Sequence, residues 1–178
     1  LLLTQYLFFL IPFMHFYKPE YFFWSNEQDR NIYMKDTEGF FMSPTFDQSS
    51  RWLQLAESSL RLFGCNTKVG SLNEPLTEIA VHFVLHHRYP NYGKYQTSCY
   101  NEDPAAKHKR WCAKCTPCAE DFMILKALDF DTRSVDFRDN LLNIRKKNLF
   151  HIFQKNDPQI MASHRFPFTF DEQLYAFY

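Results

Sequence analysis

Cys99 and, after twelve intervening residues, Cys112-Ala113-Lys114-Cys115-Thr116-Pro117-Cys118 form the stretch that decides how this chain is read. Four of its five cysteines fall within these twenty residues. A chain of 178 residues can bury a core without disulfide staples. Cys-x-x-Cys turns bring two thiolates onto one ion at tetrahedral angles, and the doubled turn at 112–118 with Cys99 supplies four sulfurs. The spacing predicts a closed zinc site with ligands Cys99, Cys112, Cys115 and Cys118. Disulfides, a redox pair or an iron–sulfur cluster are the competing readings. His108, among Lys107, Lys109 and Arg110, is the rival ligand, although four thiolates do not require it. With every position filled by protein, the expected zinc is structural rather than catalytic. It would fix the 99–118 loop.

Outward from the cysteines, the residues after Cys118 predict a helix over 119–128 carrying Phe122 and Leu125 inward. Asp129 to Asp131 breaks it. A second helix is expected over 135–153, with Phe137, Leu141, Ile144, Leu149 and Ile152 inward and Arg145-Lys146-Lys147 as a solvated face. Upstream, Pro75 opens an expected helix to about His87, with Leu76, Ile79, Ala80, Phe83 and Val84 on its apolar face. His82 and His86 stand four apart on it and read as a solvent-side pair. No carboxylate lies between them as a metalloprotease helix would need.

Residues 68–72 predict a short strand. Before it, Ser49 and Ser50 offer N-cap hydroxyls to a helix over 51–63 with Trp52, Leu55, Ala56, Leu60 and Phe63 at helical spacing, closed by Gly64. Cys65 reads as a buried small apolar side chain. The mixed stretch 31–48 reads as loop. Tyr21-Phe22-Phe23-Trp24 is a continuous apolar run, the pattern of a buried parallel strand, and Ser25-Asn26-Glu27-Gln28-Asp29 follows it. In α/β sheets ligands sit beyond the carboxyl ends of strands, which makes Asn26 and Glu27 site candidates; simple turn residues are the alternative.

Residues 1–16 are strongly apolar but contain Gln5, Pro12 and His15, lack a basic lead and a small-residue cleavage site, and fall short of the ~20 residues a spanning helix needs. A buried helix is expected there. The first residue is Leu1, which suggests a fragment. With no targeting signal and with thiols that read as ligands, the expected location is cytoplasmic. Lys plus Arg and Asp plus Glu both total 20, so the net charge is zero; nothing in that balance points to nucleic acid or an anionic membrane. Twenty Phe and ten Tyr argue for a packed interior and against disorder.

The order of these features resembles the carboxyl-terminal part of a PP-loop ATP pyrophosphatase, of the adenine-nucleotide alpha-hydrolase superfamily. The residues that carry the likeness are Ser25-Asn26-Glu27, Gln48-Ser49-Ser50, Glu74-Pro75-Leu76-Thr77-Glu78-Ile79, Ser98-Cys99 and Trp111 to Cys118. The cysteine knuckle is similar to that of cyano-deazaguanine synthase, a tRNA-modification relative. The Asn-Glu after an aromatic strand is closer to the UDP-N-acetylmuramoyl-L-alanyl-L-glutamate epimerase type.

The resemblance implies an α/β fold: a partial parallel sheet flanked by helices, helix-rich, with a zinc-knuckle loop. It covers residues 1–140, leaving 141–178 as a helical and aromatic tail. It implies ATP with Mg2+ cleaved to AMP and pyrophosphate, a carboxylate small molecule activated as its adenylate, and Asn26, Glu27, Gln48 and Ser49 as substrate or ATP contacts. In the epimerase type, part of peptidoglycan biosynthesis, activating the glutamate carboxylate acidifies the neighbouring carbon–hydrogen bond. The superfamily's Ser-Gly-Gly-x-Asp-Ser phosphate loop does not occur here, since Gly39, Gly64, Gly70 and Gly93 are all isolated. The segment alone is therefore expected to be inactive toward ATP. Either the loop lies upstream of Leu1, or the chain is a zinc-stabilised binding module without catalysis.

Overall fold

A computed structural model describes residues 2–31, 33–35, 38–43, 45–99, 109–153 and 170–178. His108 and the aromatic residues 166–169 of the tail lie outside them. The chain divides into two compact units, Leu1–Thr77 and Glu78–Tyr178. It is a mixed α/β protein, rich in helix, with a two-stranded parallel sheet. No helix among the described residues is long and apolar enough to cross a membrane.

In the first unit, α1 (Leu2–Tyr17) is followed by β1 (Tyr21–Trp24). The helix is not buried all round as expected. Leu7 and Met14, two turns apart, enter a core with Trp52, Leu53, Ala56, Leu60 and Cys65, whereas Phe9, Phe13 and Phe16 face outward among the described residues. Within the stretch read as loop, β2 (Met34–Lys35) pairs antiparallel with β3 (Phe41–Met42). Then comes α2 (Ser50–Leu62), and β4 (Lys68–Ser71) returns parallel to β1 in the register Tyr21↔Lys68 to Trp24↔Ser71. A strand, a helix and a parallel strand make a βαβ arrangement, with the β2–β3 pair lying before the helix in the chain.

Gly64, at φ +78°, closes α2, and the Cys65 N–H reaches back to the Leu60 carbonyl at 2.9 Å. The amphipathic reading of α2 holds for Trp52, Ala56 and Leu60, whereas Leu55 and Phe63 are exposed. β1 is half-exposed rather than buried, with Tyr21 and Phe23 stacked on the open face. Backbone groups alternate between the two edges of a strand. The Lys68 N–H donates to Glu20 on the β1 side, and the Val69 N–H points away, where Glu57 Oε2 accepts it at 3.2 Å. Glu57 is thus a carboxylate guard on the outer edge of β4, steadied by Lys68 at 3.2 Å and by Arg61.

The second unit starts with α3 (Glu78–Phe83), which widens into a π-helical turn, Val84–Arg88, before the short α4 (Pro90–Gly93). Pro75 does not open α3, because Asn73 to Leu76 form a turn closed by the Leu76 N–H on the Asn73 carbonyl. The buried face also differs from the expected one: Phe83 and Val84 are exposed, and His82 and His86, read as solvent-side, are each only 7% exposed. α5 (Thr116–Ala127) is the core helix, buried without a break from Pro117 to Leu125. A helix buried on every side reads as apolar all round, yet α5 carries Glu120 and Asp121 inside. α6 (Phe170–Phe177) meets it through fully buried Gln173, which donates to Glu120 Oε1 at 3.2 Å.

The long helix expected over 135–153 does not form. Short 3-10 segments stand in its place, Thr132–Val135, Ile144–Leu149 and His151–Phe153. Asp131, Asn140 and Asn143 turn their side chains onto the backbone N–H two residues on, and Asp136 is left-handed at φ +69°. Such local bonds compete with the helical ladder. Phe137 and Leu141 are still buried, but Ile144, expected inward, is 78% exposed.

Candidate metal centre and strand-end crevice

The four knuckle sulfurs lie within 4.8 Å of one another, with Cys115 to Cys118 at 3.4 Å, Cys112 to Cys118 at 3.9 Å and Cys99 to Cys115 at 4.0 Å. A tetrahedral zinc with Zn–S bonds of about 2.3 Å has sulfur–sulfur edges of about 3.8 Å. None of the five cysteines forms a disulfide, which would need a sulfur–sulfur distance of about 2.05 Å. The cluster can hold a metal ion.

Local structure explains the convergence. Ala113 adopts φ +56°, which turns the Cys112–Cys115 loop back so that the Lys114 N–H points at Cys112 Sγ at 3.4 Å. Cys115 then caps α5, Pro117 sits in its first turn where its missing N–H costs nothing, and Cys118 lies in that same turn. The helix's positive end favours a thiolate there. The Cys112 N–H donates to Cys99 Sγ at 3.2 Å, tying the distant ligand to the knuckle. Lys146 Nζ donates to the Ala113 carbonyl at 3.0 Å, bringing a cation to a centre whose four thiolates would carry excess negative charge. Trp111 stacks on Phe137 at 4.1 Å and donates from Nε1 to the Val135 carbonyl at 2.6 Å.

A hydrogen bond with Cys115, with burial, pushes the Cys118 thiol far above the ordinary range. A divalent cation among the sulfurs would reverse that preference, since a coordinating thiol is deprotonated outright. Every candidate donor is a protein sulfur, three of the four being buried. The donor set fits a closed, soft-ligand site whose four positions would all be filled by protein sulfur.

Beside the knuckle is a buried polar network that the sequence did not disclose. His82 Nδ1 donates to the Glu78 carbonyl at 2.9 Å, and Nε2 lies 2.7 Å from Asp121 Oδ1. With one ring nitrogen on a carbonyl and the other against a carboxylate, the imidazolium satisfies both. Burial alone would lower the His82 pKa; the hydrogen bond and charge of Asp121, with Glu78, outweigh it and raise it. Gln96 Nε2 donates to Asp121 Oδ1 and lies 2.7 Å from His82 Nε2, and His86 Nε2 donates to Gln96 Oε1. Ser98 Oγ donates to Asp121 Oδ2. The signal was present in the i, i+4 spacing of the histidines; their carboxylate partner lies 39 residues beyond His82.

In the first unit, polar side chains gather at the carboxyl ends of β1 and β4 and the start of α2. Asn26 is 6% exposed and its Nδ2 has no hydrogen-bond partner among the described residues, while its carbonyl accepts from Ser71 Oγ at 2.7 Å. Glu27 pairs with Arg30 at 3.3 Å. Asn31 Oδ1 accepts from the Ser50 N–H and hydroxyl, both at 2.8 Å, and Ser50 also bonds Glu74. Ser49 is committed elsewhere, donating to the Phe46 carbonyl at 2.7 Å and accepting the Trp52 N–H at 3.2 Å as N-cap of α2. Gln48 belongs to the adjoining 3-10 turn. Of the four candidates, Asn26 and Glu27 line the strand ends, and the Ser49 hydroxyl is occupied by structure. Compared with family models, curated proteins and solved structures, the chain matches none.

Proposed function

We propose that this chain is the zinc-bearing part of an ATP-dependent adenylating enzyme of the PP-loop type, acting on a carboxylate small molecule in a reducing, cytoplasmic setting. The single observation that carries the reading is Asn26, a nearly buried amide whose Nδ2 has no hydrogen-bond partner among the described residues, just beyond the carboxyl end of a parallel strand. An unpaired buried donor costs about 1–3 kcal/mol, a cost that a ligand oxygen would remove. Strand carboxyl ends are where α/β sheets bind ligands. The four-sulfur cluster on α5 supports the same reading by agreeing with the resemblance in a second, separate unit.

In this account zinc is structural, the Asn26 amide orients a substrate or nucleotide oxygen, and Glu27 with Arg30 keeps the loop in place. Adenylation with Mg2+–ATP would turn a poor leaving group into a good one, with a muramoyl-peptide glutamate as the substrate class the resemblance favours. The phosphate-cradling amides would come from residues outside this sequence, because the four glycines here are isolated. That same observation favours the second reading, a zinc-stabilised binding module without chemistry.

The test is ATP–pyrophosphate exchange by the complete gene product with candidate carboxylates, run beside Mg2+–ATP titration of this chain observed at the Asn26 side-chain amide. Carboxylate-dependent exchange abolished by Asn26→Ala is expected. Absence of exchange, together with an Asn26 amide unmoved by nucleotide or carboxylate, would overturn the adenylating reading and leave the binding module.

A further inference from the structure

Cys112, Cys115 and Cys118 are placed by one tight turn and the first turn of α5, whereas Cys99 arrives from a separate segment upstream, twelve residues before that turn. Something must bring it to within 4.0 Å of Cys115. We propose that Asp121, acting through Gln96 and Ser98, is the positioning residue that makes the centre a four-sulfur site instead of a three-sulfur site. The proposal rests on the metal reading above and extends it to how the fourth ligand is held.

The three side chains before Cys99 are all committed to this task. Gln96 donates to Asp121 Oδ1 and accepts from His86; Thr97 Oγ1 donates to the Arg110 carbonyl at 3.2 Å, next to Trp111 and the knuckle; Ser98 donates to Asp121 Oδ2. Asp121 stands three residues after Cys118 on α5, so the two share a helix face one turn apart. One rigid helix therefore carries both a sulfur ligand and the acceptor for the residue beside another ligand. Both carboxylate oxygens are used, and an ionised carboxylate only accepts. His82 Nε2 lies 2.7 Å from Oδ1 of this 3% exposed carboxylate and holds it from the other side.

Gly93 is part of the same device. A methyl group there would sit 2.7 Å from His86 Nδ1, so only glycine lets the backbone of α4 pass the ring that holds Gln96. The consequence for chemistry is direct. With Cys99 held, four sulfurs would close the site around a metal ion; with Cys99 released, three would remain to hold it.

The test uses Co2+ as the probe on the full chain, reading the thiolate-to-cobalt charge-transfer absorbance per bound ion, with zinc affinity measured by competition against a chelating dye. Asp121→Asn turns one acceptor into a donor facing donors, and Ser98→Ala removes only the bond next to Cys99. Each is expected to lower the absorbance per cobalt by about a quarter, the share of one thiolate in four, and to weaken zinc binding roughly 10–100-fold. Glu120→Gln, at the adjacent buried position of α5, where the side chain accepts from Gln173, controls for destabilisation and should keep the full absorbance per cobalt. Unaltered absorbance per ion in both Ser98→Ala and Asp121→Asn would overturn the positioning role. Failure of the wild-type chain to bind cobalt would instead overturn the metal reading beneath it.

Discussion

Glu57 in the first unit and Asp121 in the second do comparable work in different surroundings. Each carboxylate gathers three partners: Val69, Lys68 and Arg61 for Glu57; His82, Gln96 and Ser98 for Asp121. Glu57 sits at the rim, where water and salt screen it, and guards a strand edge. Asp121 is buried in α5, where losing a partner leaves buried polar groups without a hydrogen bond. The first unit is held by its βαβ core, and its polar contacts finish an edge. The second holds its cysteine-bearing segment through polar contacts, beside a four-sulfur cluster that can hold a metal ion.

Four substitutions press on this contrast, in decreasing order of effect. Cys115→Ser should remove a ligand and unfold the 99–118 region, a loss on the order of 10 kcal/mol if zinc carries the folding energy. Chemical denaturation with and without zinc measures it. Asp121→Asn should cost about 3 kcal/mol by the same method, as expected for one partner of a buried pair. Gly93→Ala, which forces the buried His86 ring to move, should cost about 1–3 kcal/mol. Glu57→Gln should stay within about 1 kcal/mol, and its more sensitive readout is faster amide exchange at Val69. If Glu57→Gln proved as damaging as Asp121→Asn, the contrast between the units would be wrong.

The two clusters also differ in sign with pH. His82, faced by Asp121, Gln96, the Glu78 carbonyl and the His86 ring, has a raised pKa. Its contribution is fully present below the unfolded value of about 6.5 and is lost as pH rises through the folded value. Glu57, lowered first by the Val69 N–H and then by Lys68, contributes above its unfolded value of about 4.3 and loses that contribution as pH falls through the folded one. Urea midpoints from mildly acidic to alkaline pH should show the His82 contribution fade in wild type and be missing in His82→Gln.

Which parts were legible in the sequence follows from how local their causes are. The knuckle was readable because Cys-x-x-Cys spacing encodes its own geometry. β1, α2 with its Ser49 cap and Gly64 stop, and β4 were readable because period and caps lie within a few residues. The helix expected over 135–153 failed because the apolar period ignored Asp131, Asn140 and Asn143, whose side chains bond their own backbone. The outward placement of His82 and His86 failed for the opposite reason: their partners, Asp121 and Gln96, are remote in sequence. Ser49, carried over as a site residue, has its hydroxyl spent on the cap.

The most direct test of the central claim is elemental analysis of the purified chain, paired with near-ultraviolet circular dichroism of the aromatic residues during chelation. The account predicts one zinc per chain, four protected thiols, and loss of the signal from stacked Trp111 and Phe137 as a strong chelator removes the metal. A chain folded without metal, its aromatic signal indifferent to the chelator and all five thiols reacting at once, would contradict it.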